Sequence, residues 1–521
     1  MNIYYINNKI KSFFRKHTMF ETIDGKQTLI VTKNSIGYFK ELTALIDNYK
    51  VNNIKYKDEY IWPYIRNRLW IQLYGIGNGN IQRCYMPPTA IQRGSRKDLS
   101  PKQRAQLKKK YNVKEVYEIN EISNLDFLFI TVLNASEQVE LDNGKIYHRL
   151  TDPIYEIAKT IGSAKKIEFA RVKTKAIEKS NRYYHKVEYI FPPQIYKTGY
   201  TNLMKFGNLL SKLKQYIPSI IHNGQEMREA INWELHTRDF YIDVLKKLNP
   251  KIIFLNGFHF QAPLISAAHF LGIKTVDVQH GIQVGWNPLY NDWKEMPEEG
   301  YQALPDYFFV WGHKEYSSIQ KVFKGRKHTP IIAGFPWLEE QLNLYNPLDI
   351  KYIKKFNDYD VIVMLTLQRQ SEVPKIYKDL IENSPKNYLW IVRHHPAGNR
   401  FKLTDFTSIK IENIIIDTYI DAINLSSLFR YVNIVVSEGS TVAAEADYFG
   451  VYNFIFSKKG RGNYKDEIKN GDFFYIKNYK EFYKQVNILD LNDRVSRAKL
   501  YEKVDLKQVL AKLLEKSKGV E

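Results

Sequence analysis

Three clusters of side chains in this chain are of types that could do chemistry. The first is Arg393-His394-His395-Pro396, directly after the apolar run Tyr388–Val392. Proline disfavours helix in the residue before it, which holds the His395 region extended at the end of a strand. The guanidinium of Arg393 is a bidentate anion donor. The imidazoles of His394 and His395 can donate to a phosphate or protonate a departing oxygen. The second is Ser437-Glu438-Gly439-Ser440-Thr441, with Glu445 one turn further on. Here a strand opens into a helix through a glycine turn. Free N–H groups, two hydroxyls and the positive end of a helix dipole together make a phosphate cradle. Glu445 can accept a ribose or sugar hydroxyl. The third is Gln279-His280-Gly281, two residues beyond Asp277, where Gly281 lets backbone approach a ligand closely. Each cluster also has a plain structural reading: a surface Arg-His group, ordinary N-capping by Ser440 and Thr441, and a satisfied core histidine at His280.

Positions like these need strands to present them. Continuous apolar runs bounded by turn formers predict strands at 126–133, 166–170, 251–257, 274–281, 306–312 and 329–336. After a break near 337–358 the alternation resumes at 360–368, 388–396, 413–417, 433–440, 452–456 and 472–476. Apolar spacing predicts helices over 224–247, stopped at Asn249-Pro250, and over 260–272. The expected fold class is α/β, with two facing, doubly wound parallel-sheet domains. The expected boundaries are 1–120 as a basic N-terminal elaboration of the first domain, 121–340 as the first Rossmann-like domain, 341–490 as the second, and 491–521 as closing helices. Ligands of such sheets bind beyond the carboxyl ends of strands. That rule adds Asn256, Thr366 and Gln368 to the expected rim.

The 521 residues carry 77 Lys+Arg against 56 Asp+Glu, a net charge of +21. This field attracts polyanions. The stretch 91–111 is the densest, with Arg93, Arg96, Lys97, Lys102, Arg104 and Lys108 to Lys110. The plain reading of these stretches is a solvated Lys-rich surface; the functional alternative is contact with an anionic membrane face or an anionic glycan. Nucleic acid is disfavoured, because no RNP-like box, zinc knuckle or helix-turn-helix pattern accompanies the aromatic residues. The single cysteine, Cys84, excludes a disulfide framework and a Cys-based zinc cluster. No run approaches the roughly 18–20 apolar residues of a membrane-spanning helix. A cytoplasmic protein, with peripheral contact on the inner face of the cell membrane, is expected.

In this order, the motifs resemble a GT-B glycosyltransferase, over roughly residues 250–480. His-Pro after one strand and Ser/Thr after a later one look like bacterial sialyltransferases and capsule Kdo transferases, which use CMP-activated acidic sugars. The resemblance implies that His395, Ser440 and Thr441 contact the donor phosphate, alongside Arg393, His394, Pro396, Ser437, Glu438, Gly439, Glu445, Thr366 and Gln368. Gln279-His280-Gly281 is similar to the Q-H-G of capsule Kdo transferases. Tyr147-His148-Arg149-Leu150-Thr151-Asp152-Pro153 looks like a segment of capsule-locus transferases. Gln279, Gly281, Asn256 and Arg149 are accordingly expected on the acceptor side. The acidic-Asp-Gly motif that supplies the sialyltransferase base has no good match, since Asp24-Gly25 follows Ile23. The base stays open among His280, Asp152 and Glu137, with His395 as the catalytic group at the phosphate. The Ser440 turn is also similar to UDP-GlcNAc 2-epimerases and UDP-dependent transferases. His-Pro is shared as well with CDP-glycerol glycerophosphotransferases. No cofactor or metal beyond the nucleotide-sugar substrate is expected, because Asp358-Tyr359-Asp360 precedes a strand rather than following one. The reading is sugar transfer from that donor to a glycan or lipid-linked acceptor in surface-polysaccharide synthesis.

Overall fold

The structure is a computed structural model. It describes residues 18–23, 26–31, 53, 55–56, 58–67, 100–119, 123–130, 137–141, 143–169, 182–192, 224–282, 288–291, 293, 296–343, 350–368, 372–396, 398–407 and 412–518. Two short antiparallel hairpins come first, β1 (Thr18–Ile23) with β2 (Lys26–Val31) and β3 (Lys55–Tyr56) with β4 (Glu59–Tyr60). The first large sheet begins with β5 (Phe127–Ile130), after which β6 (Gln138–Glu140) and β7 (Ile146–His148) form a separate hairpin. It continues with β8 (Ala164–Phe169), β9 (Glu188–Ile190), β10 (Ile252–Leu255), β11 (Lys274–Val278), β12 (Tyr307–Val310) and β13 (Thr329–Ile332). Its order is β13-β12-β11-β10-β5-β8-β9, and every pairing is parallel.

The second sheet is β14 (Val361–Thr366), β15 (Tyr388–Arg393), β16 (Ile414–Ile415), β17 (Ile434–Ser437), β18 (Tyr452–Ile455) and β19 (Phe474–Tyr475), also all parallel. Its order is β16-β15-β14-β17-β18-β19. Numbered within each sheet, the second follows the 3-2-1-4-5-6 winding of a Rossmann fold and the first extends it by a seventh strand, β13. Both therefore reverse direction at one place: between β5 and β10 in the first sheet, and between β14 and β17 in the second.

Burial alternates along the strands, as a pleated ribbon covered on both faces requires. Leu128, Ile130, Ile253 and Leu255 enter one core, and Phe127, Phe129, Ile252 and Phe254 the other. In the second sheet Val361, Val363 and Leu365 oppose Ile362 and Met364. Tyr60, Ile61, Trp62 and Ile65 sit in the first of these cores, which ties the early segment to the first sheet.

The helices used below are α1 (Pro101–Tyr111), α2 (Asp152–Ala158), α3 (Gly224–Leu248), α4 (Ala262–Phe270), α5 (His313–Phe323), α6 (Pro336–Asn343), α7 (Thr441–Tyr448), α8 (Lys458–Asn463) and α9 (Leu506–Lys518). α3 and α4, the two expected helices, pack on one another. α3 ends where Asn249 takes a left-handed φ of 40° before Pro250. The expected pair of closing helices is, among the described residues, the single helix α9. Residues 495–505 lead to it without a helix, and the Glu502 N–H donates to the Trp311 carbonyl at 2.9 Å. Leu506, Leu510, Leu513 and Leu514 of α9 then share a core with Tyr147, Leu150 and Ile154 of the first lobe and with Ala443 and Ala444 of α7. No helix of the described residues is long and apolar enough to cross a membrane.

The basic run is partly neutralised where it is described. Ser100 caps α1 in a capping box with Gln103. Arg104 pairs with Glu115, and Lys108 Nζ lies 2.5 Å from Glu118 Oε1. Lys102 and Lys109 stay exposed. Residues 91–99 lie outside the described residues.

Candidate active site between the two sheets

Thr366 of β14 pairs in register with Arg393 of β15 on one side and with Ser437 of β17 on the other. Three expected donor residues therefore end in one row at the reversal point of the second sheet. The loop after β17 is tightly built. Ser437 Oγ accepts from the Gly439 N–H at 3.1 Å, and Ser440, the N-cap of α7, accepts from the Val442 N–H at 3.1 Å. Gly439 has φ 102°, and a Cβ there would lie 2.2 Å from Gly460 Cα. Glycine is required on both counts.

α8 and the residues flanking it hold this loop from behind. Ser457 Oγ donates to the Glu438 carbonyl at 2.5 Å, Asn463 Nδ2 to Gly439 at 3.2 Å, and Tyr464 OH to Ser440 at 2.7 Å. Three successive carbonyls are thus satisfied. Burial raises the carboxyl of Glu438, and Lys459 opposes the shift. The Thr366 hydroxyl is buried beside this loop.

The Arg-His-His-Pro segment divides its labour. The Arg393 guanidinium donates to the Ile420 carbonyl, and burial pulls it down to about 10. The buried His394 ring has Nδ1 2.9 Å from Asp421 Oδ2 and accepts at Nε2 from the Phe401 N–H at 3.0 Å. Its Nε2 therefore carries no proton, and the ring is a scaffold for the loop. In this structure Arg393 and His394, both expected at the donor, make these contacts within the turn. His395 is half-buried, Pro396 exposed. The His395 carbonyl accepts from the Gly398 N–H at 2.9 Å, and a Cβ on Gly398 would stand 2.8 Å from the Gln368 carbonyl.

The first lobe meets this loop directly. Thr441 Oγ1 accepts from the Ile282 N–H at 3.3 Å, and a Cβ on Gly281 would lie 3.1 Å from the same oxygen. The Gln279-His280-Gly281 turn thus lies against the start of α7. Gln279 is itself structural: Nε2 donates to the Gly281 carbonyl at 2.9 Å, and Oε1 accepts from the Trp311 N–H at 2.8 Å. Its side chain thereby helps to shape the turn. Asp277 accepts from the Phe258 N–H at 3.1 Å and from Tyr290 OH at 2.9 Å, and burial pushes its carboxyl up to about 7.

At the reversal point of the first sheet Asn256 Nδ2 donates to Glu137 Oε2 at 2.7 Å, and His148 Nε2 lies 3.2 Å from the same oxygen. Asp152 is buried in an ion pair with Lys166 and accepts from the His148 N–H at 2.9 Å. Arg149 reaches into the second lobe, its Nη1 2.9 and 3.0 Å from the two oxygens of the buried Glu445. Both ends of this pair were assigned to ligand, and the structure pairs them with each other.

Several residues escaped sequence reasoning. Asp421 fixes His394, His148 contacts Glu137, and Lys314 of α5 bridges the lobes to Glu467 at 2.8 Å and to the Asn463 carbonyl at 2.8 Å. Glu315, next to Lys314, is buried, and burial pushes it up to about 7. Only proximity in the fold reveals them. A cavity of about 600 Å³ lies beside the His394 loop, lined by Tyr352, Lys355, His394, Arg400, Asp417 and Asp421.

No protein-family model and no curated protein matches this chain. Solved structures do match. A Listeria monocytogenes protein provisionally named a UDP-N-acetylglucosamine 2-epimerase aligns with TM-score 0.50 at 13% identity, covering 77% of this chain and 98% of its own. The UDP-GlcNAc 2-epimerase of Neisseria meningitidis bound to UDP-GlcNAc aligns at TM-score 0.45 and 14% identity, over 75% and 99%. A UDP-glucosyltransferase of Polygonum tinctorium gives TM-score 0.44 and 8% identity, over 75% and 98%. At such identities the likeness is one of fold, two Rossmann-like lobes in the GT-B arrangement.

Proposed function

We propose that the protein is a metal-independent glycosyltransferase that moves a sugar from a nucleotide-activated donor to a glycan or lipid-linked acceptor. One observation carries the reading: the Ser440-Thr441 cradle and the Gln279-His280-Gly281 turn, from different lobes, meet through Thr441 Oγ1 and the Ile282 N–H at 3.3 Å. A departing phosphate gathers negative charge, and fixed donors around it lower the barrier. In this reading His395, the Thr366 hydroxyl, Ser440 and the start of α7 receive that phosphate, with Gln368 and Pro396 flanking it. His280 and Glu137 serve the acceptor hydroxyl. Closure of the lobes excludes water.

A CMP-linked acidic sugar such as Kdo or sialic acid is one donor in keeping with the His-Pro and Ser-Thr motifs. A UDP sugar is the other, favoured by the names of the structural neighbours. Those names also favour a second reading, a UDP-GlcNAc 2-epimerase. The reading places the protein at surface-polysaccharide synthesis, with the exposed Lys102 and Lys109 of α1 docking it to an anionic membrane. Thermal shift against CMP, CDP, UMP, UDP and GDP tests the donor. A selective rise, lost in His395→Ala and Ser440→Ala, supports the reading and names the nucleotide. Silence to all five would overturn it. Release of free nucleotide only when acceptor is present separates transfer from epimerisation.

A further inference from the structure

The cradle loop of the second lobe is held from behind by two side chains outside its own motif. Asn463 is the last residue of α8, and Tyr464 follows it. Asn463 Nδ2 donates to the Gly439 carbonyl at 3.2 Å, and Tyr464 OH to the Ser440 carbonyl at 2.7 Å. Neighbouring side chains thus grip neighbouring carbonyls. No slack separates α8 from the loop: a Cβ on Gly460 would stand 2.8 Å from Gly439 Cα and 2.3 Å from the Glu438 carbonyl. In packing this close, a shift of residues 463 and 464 is passed to Gly439 and Ser440.

The peptide that joins Asn463 to Tyr464 is held by a residue of the first lobe, Lys314. Its Nζ donates to the Asn463 carbonyl at 2.8 Å and lies 5.2 Å from the centre of the Tyr464 ring. Glu467, in the helix Lys465–Asn470, neutralises the ammonium with both oxygens at 2.8 Å. Three oxygens about one ammonium match its three N–H donors in number, which fixes the place of Nζ. Asn463, Tyr464 and Glu467 are all buried, and the Lys314 side chain is 17% exposed.

Lys314 lies in the first turn of α5, just beyond the carboxyl end of β12. Close before it the Trp311 N–H donates to Gln279 Oε1 at 2.8 Å, and Gln279 Nε2 donates in turn to the Gly281 carbonyl at 2.9 Å. Residues 311–314 are therefore tied on one side to the Gln279-His280-Gly281 turn and on the other to the backing of the cradle. The direct meeting of turn and cradle, Thr441 Oγ1 with the Ile282 N–H, is longer at 3.3 Å. The start of α5 adds a shorter set of contacts that fixes the same spacing.

We propose that Lys314 is a positioning residue: by gripping the Asn463–Tyr464 peptide it keeps the cradle loop in the shape that receives the donor phosphate, in register with the His280 turn. The inference rests on the transferase reading and adds to it a first-lobe residue that controls donor affinity through the loop. Because linkage is reciprocal, nucleotide should in turn tighten the contact between the lobes.

Lys314→Met removes the ammonium and keeps much of the side chain's length. Calorimetric titration, well below the melting temperature, uses whichever of CMP, CDP, UMP, UDP and GDP the wild-type chain binds. Affinity should fall about tenfold, the scale of one lost hydrogen bond to a charged group. Lys314→Arg, which keeps charge and donors, should recover most of it. The loss should shrink below about twofold once Asn463→Ala and Tyr464→Phe have removed the side chains that transmit it. A role confined to stability gives a different result: a lower melting temperature with unchanged affinity, or a loss that survives in the Asn463→Ala, Tyr464→Phe background. Either outcome overturns the proposal. If Lys314→Met does not fold, Lys314→Met with Glu467→Gln leaves no buried charge unpaired and is read in the same way. A wild-type chain that binds none of the five nucleotides overturns the transferase reading, and this inference with it. Wild-type binding matched by Lys314→Met overturns this inference alone.

Discussion

His394 and His395 are neighbours in sequence with different surroundings. Both nitrogens of His394 are engaged inside the loop, whereas His395 stands half-buried beyond the strand. His395→Ala is expected to weaken nucleotide binding some 10- to 100-fold, the worth of one hydrogen bond to a charged group at about 1.5–3 kcal/mol, with the melting temperature little changed. His394→Ala should instead lower the melting temperature, since it leaves Asp421 and the Phe401 N–H without their partner. Calorimetry with and without nucleotide distinguishes the two. The motif was legible in the sequence, and the division within it was not. Asp421 lies 27 residues from His394, and nothing local marks it as the partner. The same holds for Asp152, whose ion pair with Lys166 appears only when α2 packs beside β8.

At the scale of elements, strands were easy to find wherever both faces are buried, because parallel strands read as unbroken apolar runs. β9 and the β6–β7 hairpin are short and carry polar residues such as Glu188, Gln138 and Glu140, so no such run announces them. The cradle loop depends on the contact of Gly439 with Gly460. Gly439→Ala should abolish the nucleotide thermal shift while circular dichroism stays unchanged, because a Cβ cannot fit without displacing α8. α5 supplies a pH test. Burial raises Glu315 to about 7, well above its value in an unfolded chain. Between roughly pH 4 and pH 7 the folded chain keeps a proton that the unfolded chain releases. Its contribution to stability is therefore largest in acid and declines as pH rises through that window, by on the order of 1 kcal/mol per pH unit. Glu315→Gln should flatten this part of the melting curve against pH, and an unchanged slope would contradict it. On α1, Lys102→Glu with Lys109→Glu should weaken sedimentation with phosphatidylserine vesicles, more so at low salt.

For the whole molecule, the lobes are joined by Arg149–Glu445, Lys314–Glu467 and a continuous apolar core. Partners so far apart in sequence, 296 residues for the first pair, leave no trace that a linear reading can find. Arg149→Met would strand a buried carboxylate and is expected to cost about 3–5 kcal/mol in urea unfolding. Adding Glu445→Gln should recover much of that loss. The path of α9 has a consequence for synthesis. This helix comes after both sheets in the chain, yet it packs on α2 and completes a core that begins at Phe127. The first half of the polypeptide must therefore wait on the ribosome with part of its greasy surface uncovered until residues 506–518 emerge. A nascent chain stalled before them should be a chaperone client even though every strand of both sheets has been made.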